Sequence, residues 1–85
     1  VLICGSGQGM AMRANKYPEI RAALVWDTVT AVLAREHNDA NILCLGGRLL
    51  PQGLVLEILE RFLEAKFQGG RHATRVEKLS RAPLK

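Results

Sequence analysis

Residues 4–9 combine a thiol, a hydroxyl and three glycines at alternate positions, in the order Cys-Gly-Ser-Gly-Gln-Gly. Glycine allows the backbone to turn tightly, so that successive N–H groups form a cradle that favours negative charge. A thiol beside such a cradle loses its proton more readily and is able to act as a base or a nucleophile. We interpret this segment as a cradle for an oxyanion, with Cys4 placed beside it.

Other interpretations of the glycine segment compete with this one. The segment could be a turn that binds nothing, and Cys4 could be a small buried hydrophobic residue, which is the role we assign to Cys44. A dinucleotide-binding fingerprint would need a third glycine where the chain has Met10, and Asp27 is better explained as a helix cap than as a ribose ligand. A phosphate-binding P-loop would need Gly-Lys followed by Ser or Thr, which this segment lacks.

Basic and histidine side chains form a second group of candidates. Arg71 and Arg75 are four residues apart, so both project from one helical face and could bind one phosphate, although most such pairs form a solvated basic surface. His37 follows a predicted helix, whose dipole favours a charged histidine at that end. We assign no chemistry to His72.

Three short apolar runs predict the strands that position these residues. They cover residues 1–4, 21–26 and 42–45, and Gly46 and Gly47 stop the third. The first run is apolar throughout, which is typical of a strand buried on both faces.

Helices are predicted after each strand. Residues 10–16 fit a short helix that ends before Pro18. Asp27 is predicted to cap a second helix that runs through Glu36, and one face of that helix carries Val29, Val32 and Leu33.

Two further helices complete the chain. The third is predicted to have Pro51 in its first turn and to end at Gly69 and Gly70. Its apolar residues recur with helical spacing at Val55, Ile58, Leu59 and Phe62. The fourth covers residues 72–81, with Arg71 at its start and with Val76 and Leu79 facing inward.

The order β-α-β-α-β-α-α predicts a parallel α/β sheet with right-handed crossovers. A chain of 85 residues has room for one domain at most. In a parallel α/β sheet, ligands bind at the carboxyl ends of the strands, which is where the glycine segment lies.

Four segments in register resemble the ribose-5-phosphate isomerase B family, which also includes the galactose-6-phosphate isomerase subunits. The segments are residues 4–10 (CGSGQGM), 14–16 (ANK), 35–41 (REHNDAN) and 69–76 (GGRHATRV). Their order and spacing match the family across essentially the whole chain. The resemblance implies a Rossmann-like, three-layer α/β domain that pairs into homodimers or higher homo-oligomers, with active sites at the subunit interface.

The resemblance also implies a reaction and a role for each candidate residue. The family interconverts an aldose phosphate and a ketose phosphate, here ribose 5-phosphate and ribulose 5-phosphate, through an enediolate. Cys4 would be the base that removes the proton. The enediolate oxygen would be held by Ser6 and by the backbone amides of Gly5, Gly7 and Gly9. His37 would open the sugar ring, Asn38 would bind sugar oxygens, and the phosphate would be bound by Arg48, Arg71 and Arg75. Moving a proton between two carbons requires no redox cofactor or metal ion.

The chain departs from the family pattern in two ways. The N-terminal half of the family domain, with an Asp-His pair used in ring opening and phosphate binding, has no counterpart here. We therefore expect residues 1–85 to be the C-terminal part of one sugar-phosphate isomerase domain, whose activity needs the remainder. Arg13 stands where family members more often have a small residue.

Composition argues against several other functions. Twelve Lys and Arg against eight Asp and Glu give a net charge of +4, and 48% of the residues are apolar, as in soluble globular domains. We expect no membrane span, since no apolar run reaches roughly 20 residues. We also expect no signal peptide, since the opening apolar stretch lacks a basic flank and leads straight into glycines. Two cysteines in apolar runs, without zinc-site spacing, favour reduced thiols in the cytoplasm. The modest charge and four aromatic residues argue against nucleic-acid binding.

Two alternatives to a ribose 5-phosphate isomerase remain. The sugar could have six carbons, as in galactose 6-phosphate or allose 6-phosphate, or the chain could be a non-catalytic phosphate-binding module. Substitution of Cys4 separates the enzyme from the module, because binding survives the change whereas isomerisation is lost.

Overall fold

Three parallel strands form the centre of the molecule. In a computed structural model, which describes residues 1–81, they are β1 (Leu2–Cys4), β2 (Ala22–Leu24) and β3 (Ile42–Gly46). The sheet order is β1-β3-β2, with Cys4 opposite Gly46 and Leu24 opposite Cys44. All three predicted strands are present, and the first two are shorter than the apolar runs that predicted them.

Four helices alternate with the strands and follow them. They are α1 (Gln8–Ala14), α2 (Thr28–Glu36), α3 (Gln52–Glu64) and α4 (Arg71–Ser80). The order confirms the predicted β-α-β-α-β-α-α arrangement and its parallel α/β sheet. None of the helices within residues 1–81 is both long enough and apolar enough to cross a bilayer.

The main core lies between the sheet and the helices α2 and α3. The central strand β3 contributes Leu43 and Leu45, both 1% exposed, and the helices contribute Ala31, Ala34, Ile58 and Phe62. Val55 and Leu59 pack against this cluster, so the helical stripe predicted for α3 is confirmed.

Arg35 joins the ends of α2 and α3. Its guanidinium lies 5.0 Å from the centre of the Phe62 ring and donates hydrogen bonds to the carbonyl oxygens of Ala40 and Ala65, at 3.0 and 3.3 Å. A cation over an aromatic face with two carbonyl acceptors fixes the two helix ends relative to each other.

The start of α2 is fixed by a reciprocal cap. The Asp27 carboxylate accepts a hydrogen bond from the Thr30 N–H at 2.7 Å, and the Thr30 hydroxyl accepts one from the Asp27 N–H at 3.3 Å. The Thr30 amide, and then its hydroxyl, hold the pKa of Asp27 below its usual value. Asp27 is thus a helix cap, as predicted.

Burial of the first strand on both faces is wrong within the described residues. Ile3 is 56% exposed, whereas Leu2 and Cys4 are half-buried. Because β1 is an outer strand paired only with β3, side chains on one of its faces lack the cover that β3 receives.

Several predicted helix boundaries also need correction. Helix α1 begins at Gln8, two residues earlier than predicted, and Pro51 is the extended residue before α3 rather than part of its first turn. Helix α3 ends at Glu64. Gly69 and Gly70 instead form the turn before α4, with φ values of 66° and 55°.

Two apolar faces that were predicted from the sequence, one on α2 and one on α4, are partly exposed to solvent. Val29, Val32 and Leu33 do share one face of α2, but they line a groove with Thr28 and Arg61, while Ala31 and Ala34 fill the core. Leu79 does not face inward: it is 64% exposed, because it lines a cavity of about 510 Å³ near the end of α4. Val76 is buried as predicted.

Candidate functional site

The glycine segment folds tightly against the end of β3, at the carboxyl end of the sheet. Gly7 has a φ of 80°, and a Cβ on it would lie 2.6 Å from Cδ1 of Leu24 and 2.9 Å from the carbonyl carbon of Leu45. A Cβ on Gly46 would lie 2.9 Å from the backbone of Ser6. Since neither position has room for a side chain, the backbone of the segment closely approaches the neighbouring strands and keeps Cys4 at its side.

Two hydrogen bonds join this segment to the turn after β3. The Gly47 N–H donates to the carbonyl oxygen of Cys4 at 2.8 Å, and the Arg48 N–H donates to that of Gly5 at 3.1 Å. The Arg48 side chain then runs across Gly5, with its Nε 3.7 Å from where a Gly5 Cβ would lie. The arginine predicted as a third phosphate ligand therefore lies beside the segment that carries Cys4.

Backbone N–H groups of residues 6, 7, 9 and 10 act on the thiol of Cys4. Hydrogen bonding from the Met10 amide lowers the pKa of the thiol most, burial opposes this, and the amides of Gly7, Ser6 and Gly9 lower it further. The net effect is a pKa below the ordinary cysteine value, because these donors stabilise the thiolate.

Ser6 contributes to a small cavity at the same end of the sheet. Its Oγ accepts a hydrogen bond from the Gln8 N–H at 3.4 Å. Both residues line a cavity of about 210 Å³, whose other walls are Leu24, Val25, Trp26, Gly46, Leu49 and Leu50. The cavity combines polar groups from the glycine segment with apolar walls, as small-molecule sites do.

The second cysteine lies in different surroundings. Cys44 is fully buried in the middle of β3. Burial raises the pKa of the Cys44 thiol, and a charge on Cys4 would raise it further. Cys44 is a core residue, as predicted.

His37 and Asn38 lie at the opposite end of the sheet from Cys4. Helix α2 starts after the carboxyl end of β2 and runs back, so its C-terminus reaches the amino ends of the strands. The five residues of β3 separate the two ends of the sheet by about 13 Å. Asn38 there lines the 510 Å³ cavity, together with Lys16, Tyr17 and Arg21.

Arg71 and Arg75 lie on α4, the helix that contacts His37 through His72. The ring of His72 stacks on that of His37, with centroids 4.3 Å apart and planes 10° apart. Arg71 and Arg75 are exposed residues of the same helix, and their charges act on His72. Burial lowers the pKa of His72 most, followed by the charges of His37, Arg71 and Arg75.

The predicted site residues thus form two groups. The carboxyl-end cluster contains Cys4, Gly5, Ser6, Gly7, Gly9 and Arg48. The amino-end cluster contains His37, Asn38, Arg71 and Arg75. One copy of the chain holds both groups but does not bring them together.

Two residues at these clusters were not predicted. Met10 supplies the amide with the largest effect on Cys4, and it was missed because the helix was predicted to start at residue 10 instead of residue 8. His72 is buried beside His37, and its spacing of four residues from the apolar Val76 is the sequence signal that indicates an inward face.

No group of three or more His, Cys, Asp and Glu side chains within residues 1–81 is arranged to hold a metal ion. The polar groups that converge on Cys4 are backbone N–H donors, which suit an anion rather than a cation.

Comparison with known proteins gives a consistent result. A family model described as Ribose/Galactose Isomerase matches residues 1–79. The probable ribose-5-phosphate isomerase B of Mycoplasma pneumoniae is 52% identical over 79 residues, which cover 93% of this chain and 52% of that protein. The chain spans about half the length of the curated relatives it matches.

Solved structures agree with this similarity. The structure of Clostridium thermocellum ribose-5-phosphate isomerase B has a TM-score of 0.90 and 54% identity, covering 92% of this chain and 53% of that one. The structure of Trypanosoma brucei type B ribose 5-phosphate isomerase has a TM-score of 0.91 and 51% identity, covering 93% and 54%. The predicted Rossmann-like α/β fold is confirmed.

Proposed function

The chain belongs to the ribose/galactose isomerase family, and on that premise we propose that it forms part of an isomerase that interconverts ribose 5-phosphate and ribulose 5-phosphate. Membership confirms the resemblance predicted from four segments of the sequence. Relatives named ribose-5-phosphate isomerase B support the five-carbon substrate. The family description also names galactose, which supports six-carbon sugar phosphates as second candidates.

Cys4 is the base of the proposed reaction. Its thiolate removes the proton from C2 of open-chain ribose 5-phosphate, and the electrons of the C–H bond form a double bond between C1 and C2. The carbonyl oxygen at C1 takes the negative charge. The thiol then returns the proton to C1 while the O2 proton passes to O1, which leaves the carbonyl at C2 with all atoms and electrons balanced.

Backbone amides stabilise both anions of this sequence. The N–H groups of Ser6, Gly7, Gly9 and Met10 lower the pKa of the thiol, so more of it is ready to act as a base at neutral pH. An enediolate oxygen placed beside the sulfur falls within the same group of donors. The loss of one such donor typically costs roughly 3–4 kcal/mol of transition-state stabilisation.

The amino-end cluster acts on the remainder of the substrate. His37 opens the furanose ring by moving a proton between the ring oxygen and the anomeric hydroxyl, and Asn38 binds sugar oxygens. Arg71 and Arg75, one helical turn apart on α4, present two guanidinium groups suited to one phosphate. Arg48 lies at the carboxyl-end cluster and meets the substrate from that side.

Two copies of the chain share each active site. Within one copy the two clusters lie at opposite ends of the sheet, whose central strand β3 is about 13 Å long. A two-fold interface repeats each surface on both partners. The carboxyl-end cluster of one copy can therefore meet the amino-end cluster of the other, which assembles base, ring-opening histidine and phosphate ligands around one sugar.

The observation that carries the proposal is the Cys4 thiol surrounded by amide donors, and a pair of cysteine variants tests it. Isomerase activity is measured for the natural polypeptide that contains these residues, with ribose 5-phosphate as substrate. We expect Cys4→Ala to lower kcat by about a hundredfold or more, as loss of a general base does. Cys44→Ala is the matched control, because that thiol is buried away from the amides, and it retains most of the activity.

Three other results would change the proposal. Equal activity of Cys4→Ala and wild type would move the base elsewhere. Faster turnover of galactose 6-phosphate or allose 6-phosphate than of ribose 5-phosphate would change the substrate. Binding of sugar phosphates without turnover of any of them would leave a phosphate-binding module in place of an enzyme.

A further inference from the structure

The stacked rings of His37 and His72 connect α2 to α4. At a centroid distance of 4.3 Å and an interplanar angle of 10°, the faces of the two rings are in direct contact. Within residues 1–81 no side-chain hydrogen bond holds either imidazole. The stack is therefore a contact through which each ring can orient the other.

His72 is the more firmly held of the two. Its side chain is 7% exposed. Its backbone N–H donates to the carbonyl oxygen of Gly69 at 3.0 Å, in the turn that starts α4. The Gln68 N–H ties that turn to α2 by donating to the carbonyl oxygen of Glu36 at 3.0 Å. His37 is more exposed and occupies the C-cap of α2, a kind of position that frays readily.

We propose that His72 is a positioning residue, which holds the His37 imidazole in the orientation required for opening the sugar ring. The inference rests on the proposed function, because it requires His37 to act on the substrate. His72 meets the substrate only through His37, so it is not a catalytic residue in this account.

The surroundings of His72 suit this supporting role. Burial, followed by the charges of His37, Arg71 and Arg75, lowers the pKa of His72, which favours the uncharged ring. An uncharged His72 ring packs its apolar face against that of His37.

A double-mutant cycle on the natural polypeptide tests the coupling. With ribose 5-phosphate as substrate, we expect His72→Ala to lower kcat roughly tenfold while KM changes little, because the arginines that bind phosphate remain. The same change made in a His37→Ala background has no further effect. His72→Phe, which preserves a buried ring for stacking, remains within about threefold of wild type.

Val76→Ala is the matched control. Val76 is the other buried side chain of α4, and its truncation loosens the helix without removing the stacked ring. An equal fall of kcat in Val76→Ala would show that docking of α4, rather than the stack, explains the effect. The proposal is also overturned if His72→Ala lowers kcat further in the His37→Ala background, or if His72→Phe is as slow as His72→Ala.

A measurement that needs no activity separates this inference from the proposed function. Stacking places the His37 protons in the ring current of His72, which shifts their NMR resonances. We expect the shift to disappear in His72→Ala and to persist in His72→Phe. If the wild-type protein turns over no sugar phosphate, the proposed function fails. If His72→Ala leaves the chemical shifts of the His37 protons unchanged, the positioning role fails.

Discussion

The two cysteines belong to one sheet, yet their pKa values shift in opposite directions. Cys4 ends an outer strand, where the Met10 amide and its neighbours lower the pKa of the thiol. Cys44 lies in the middle of the central strand, where burial raises it. Of these two thiols, Cys4 is the one whose surroundings favour the thiolate, as the base that we propose requires.

The Met10 amide is testable through proline, which lacks an N–H but is tolerated in the first turn of a helix. We expect Met10→Pro to raise the pKa of Cys4 toward that of a free thiol. The rate of iodoacetamide labelling at Cys4, followed by mass spectrometry across a pH series, reports this pKa. Gln8→Pro is the control, because the Gln8 amide donates to Ser6 and not to Cys4.

The sign of the effect follows from the lowered pKa of Cys4. In the native protein, labelling and kcat both fall as pH decreases through that value, since the thiol becomes protonated. Met10→Pro moves this fall to higher pH, and Gln8→Pro leaves it in place. Identical labelling profiles for wild type and Met10→Pro would contradict the role assigned to the amide.

Gly7 and Gly9 are expected to differ sharply in their tolerance of a side chain. Gly7→Ala combines a φ of 80° with a Cβ 2.6 Å from Leu24, so the free energy of unfolding falls by at least about 1–3 kcal/mol. Gly9 lies in α1 with open space around it, so Gly9→Ala leaves the free energy of unfolding unchanged or raises it by up to about 1 kcal/mol.

Urea unfolding of the two glycine variants measures this difference. Gly9→Ala also retains its N–H, so its isomerase activity stays close to that of wild type if the amide, rather than the glycine, serves the site. Equal destabilisation by both substitutions would contradict the close packing described for the segment.

At the scale of elements, α2 is the helix that local sequence predicts best. Its cap at Asp27 and its last residue, Glu36, are both where the sequence places them. The signal that starts the helix is local, because the Asp27 carboxylate lies only three residues before the Thr30 N–H that it accepts from. Structure of this kind is decided by neighbouring residues, so sequence alone is sufficient.

The boundary between α3 and α4 depends on distant residues and could not be predicted in the same way. The chain leaves α3 at Ala65, whose carbonyl oxygen accepts from Arg35, and the Gln68 N–H donates to Glu36. These partners lie some thirty positions earlier in the chain. The sequence near Gly69 and Gly70 does not show these distant hydrogen-bond partners. The glycine pair is therefore easily interpreted as the end of α3, although it precedes the start of α4.

The site shows the same division between local and distant information. The residue types around Cys4 indicate an anion cradle because they are contiguous in sequence. The stack of His37 on His72 joins the end of α2 to the start of α4, and no spacing within either helix reveals it. The exposure of Ile3 and Leu79 likewise depends on which neighbours cover them, not on their own hydrophobicity.

At the scale of the whole molecule, the element order explains why one copy separates its two clusters. A helix that follows a strand in a parallel sheet must run back before the next strand begins. Residues at the end of a strand or just after it, such as Cys4 and Arg48, therefore lie at one end of the sheet. Residues after helices, such as His37 and Asn38, lie at the other end. The active site that we propose uses both sets, and a second copy would complete it.

Complementation between two inactive variants tests this account most directly. Chains with Cys4→Ala and His37→Ala are co-expressed as natural polypeptides with different affinity tags, and dimers containing one of each are purified. In a shared site, the intact Cys4 of one chain meets the intact His37 of the other, so one of the two sites is restored. We predict about half of the wild-type activity in the mixed dimer. As the control, dimers that carry Cys4→Ala in both differently tagged chains stay inactive. The shared site would be contradicted if the mixed dimer were as inactive as the dimers that carry a single variant in both chains.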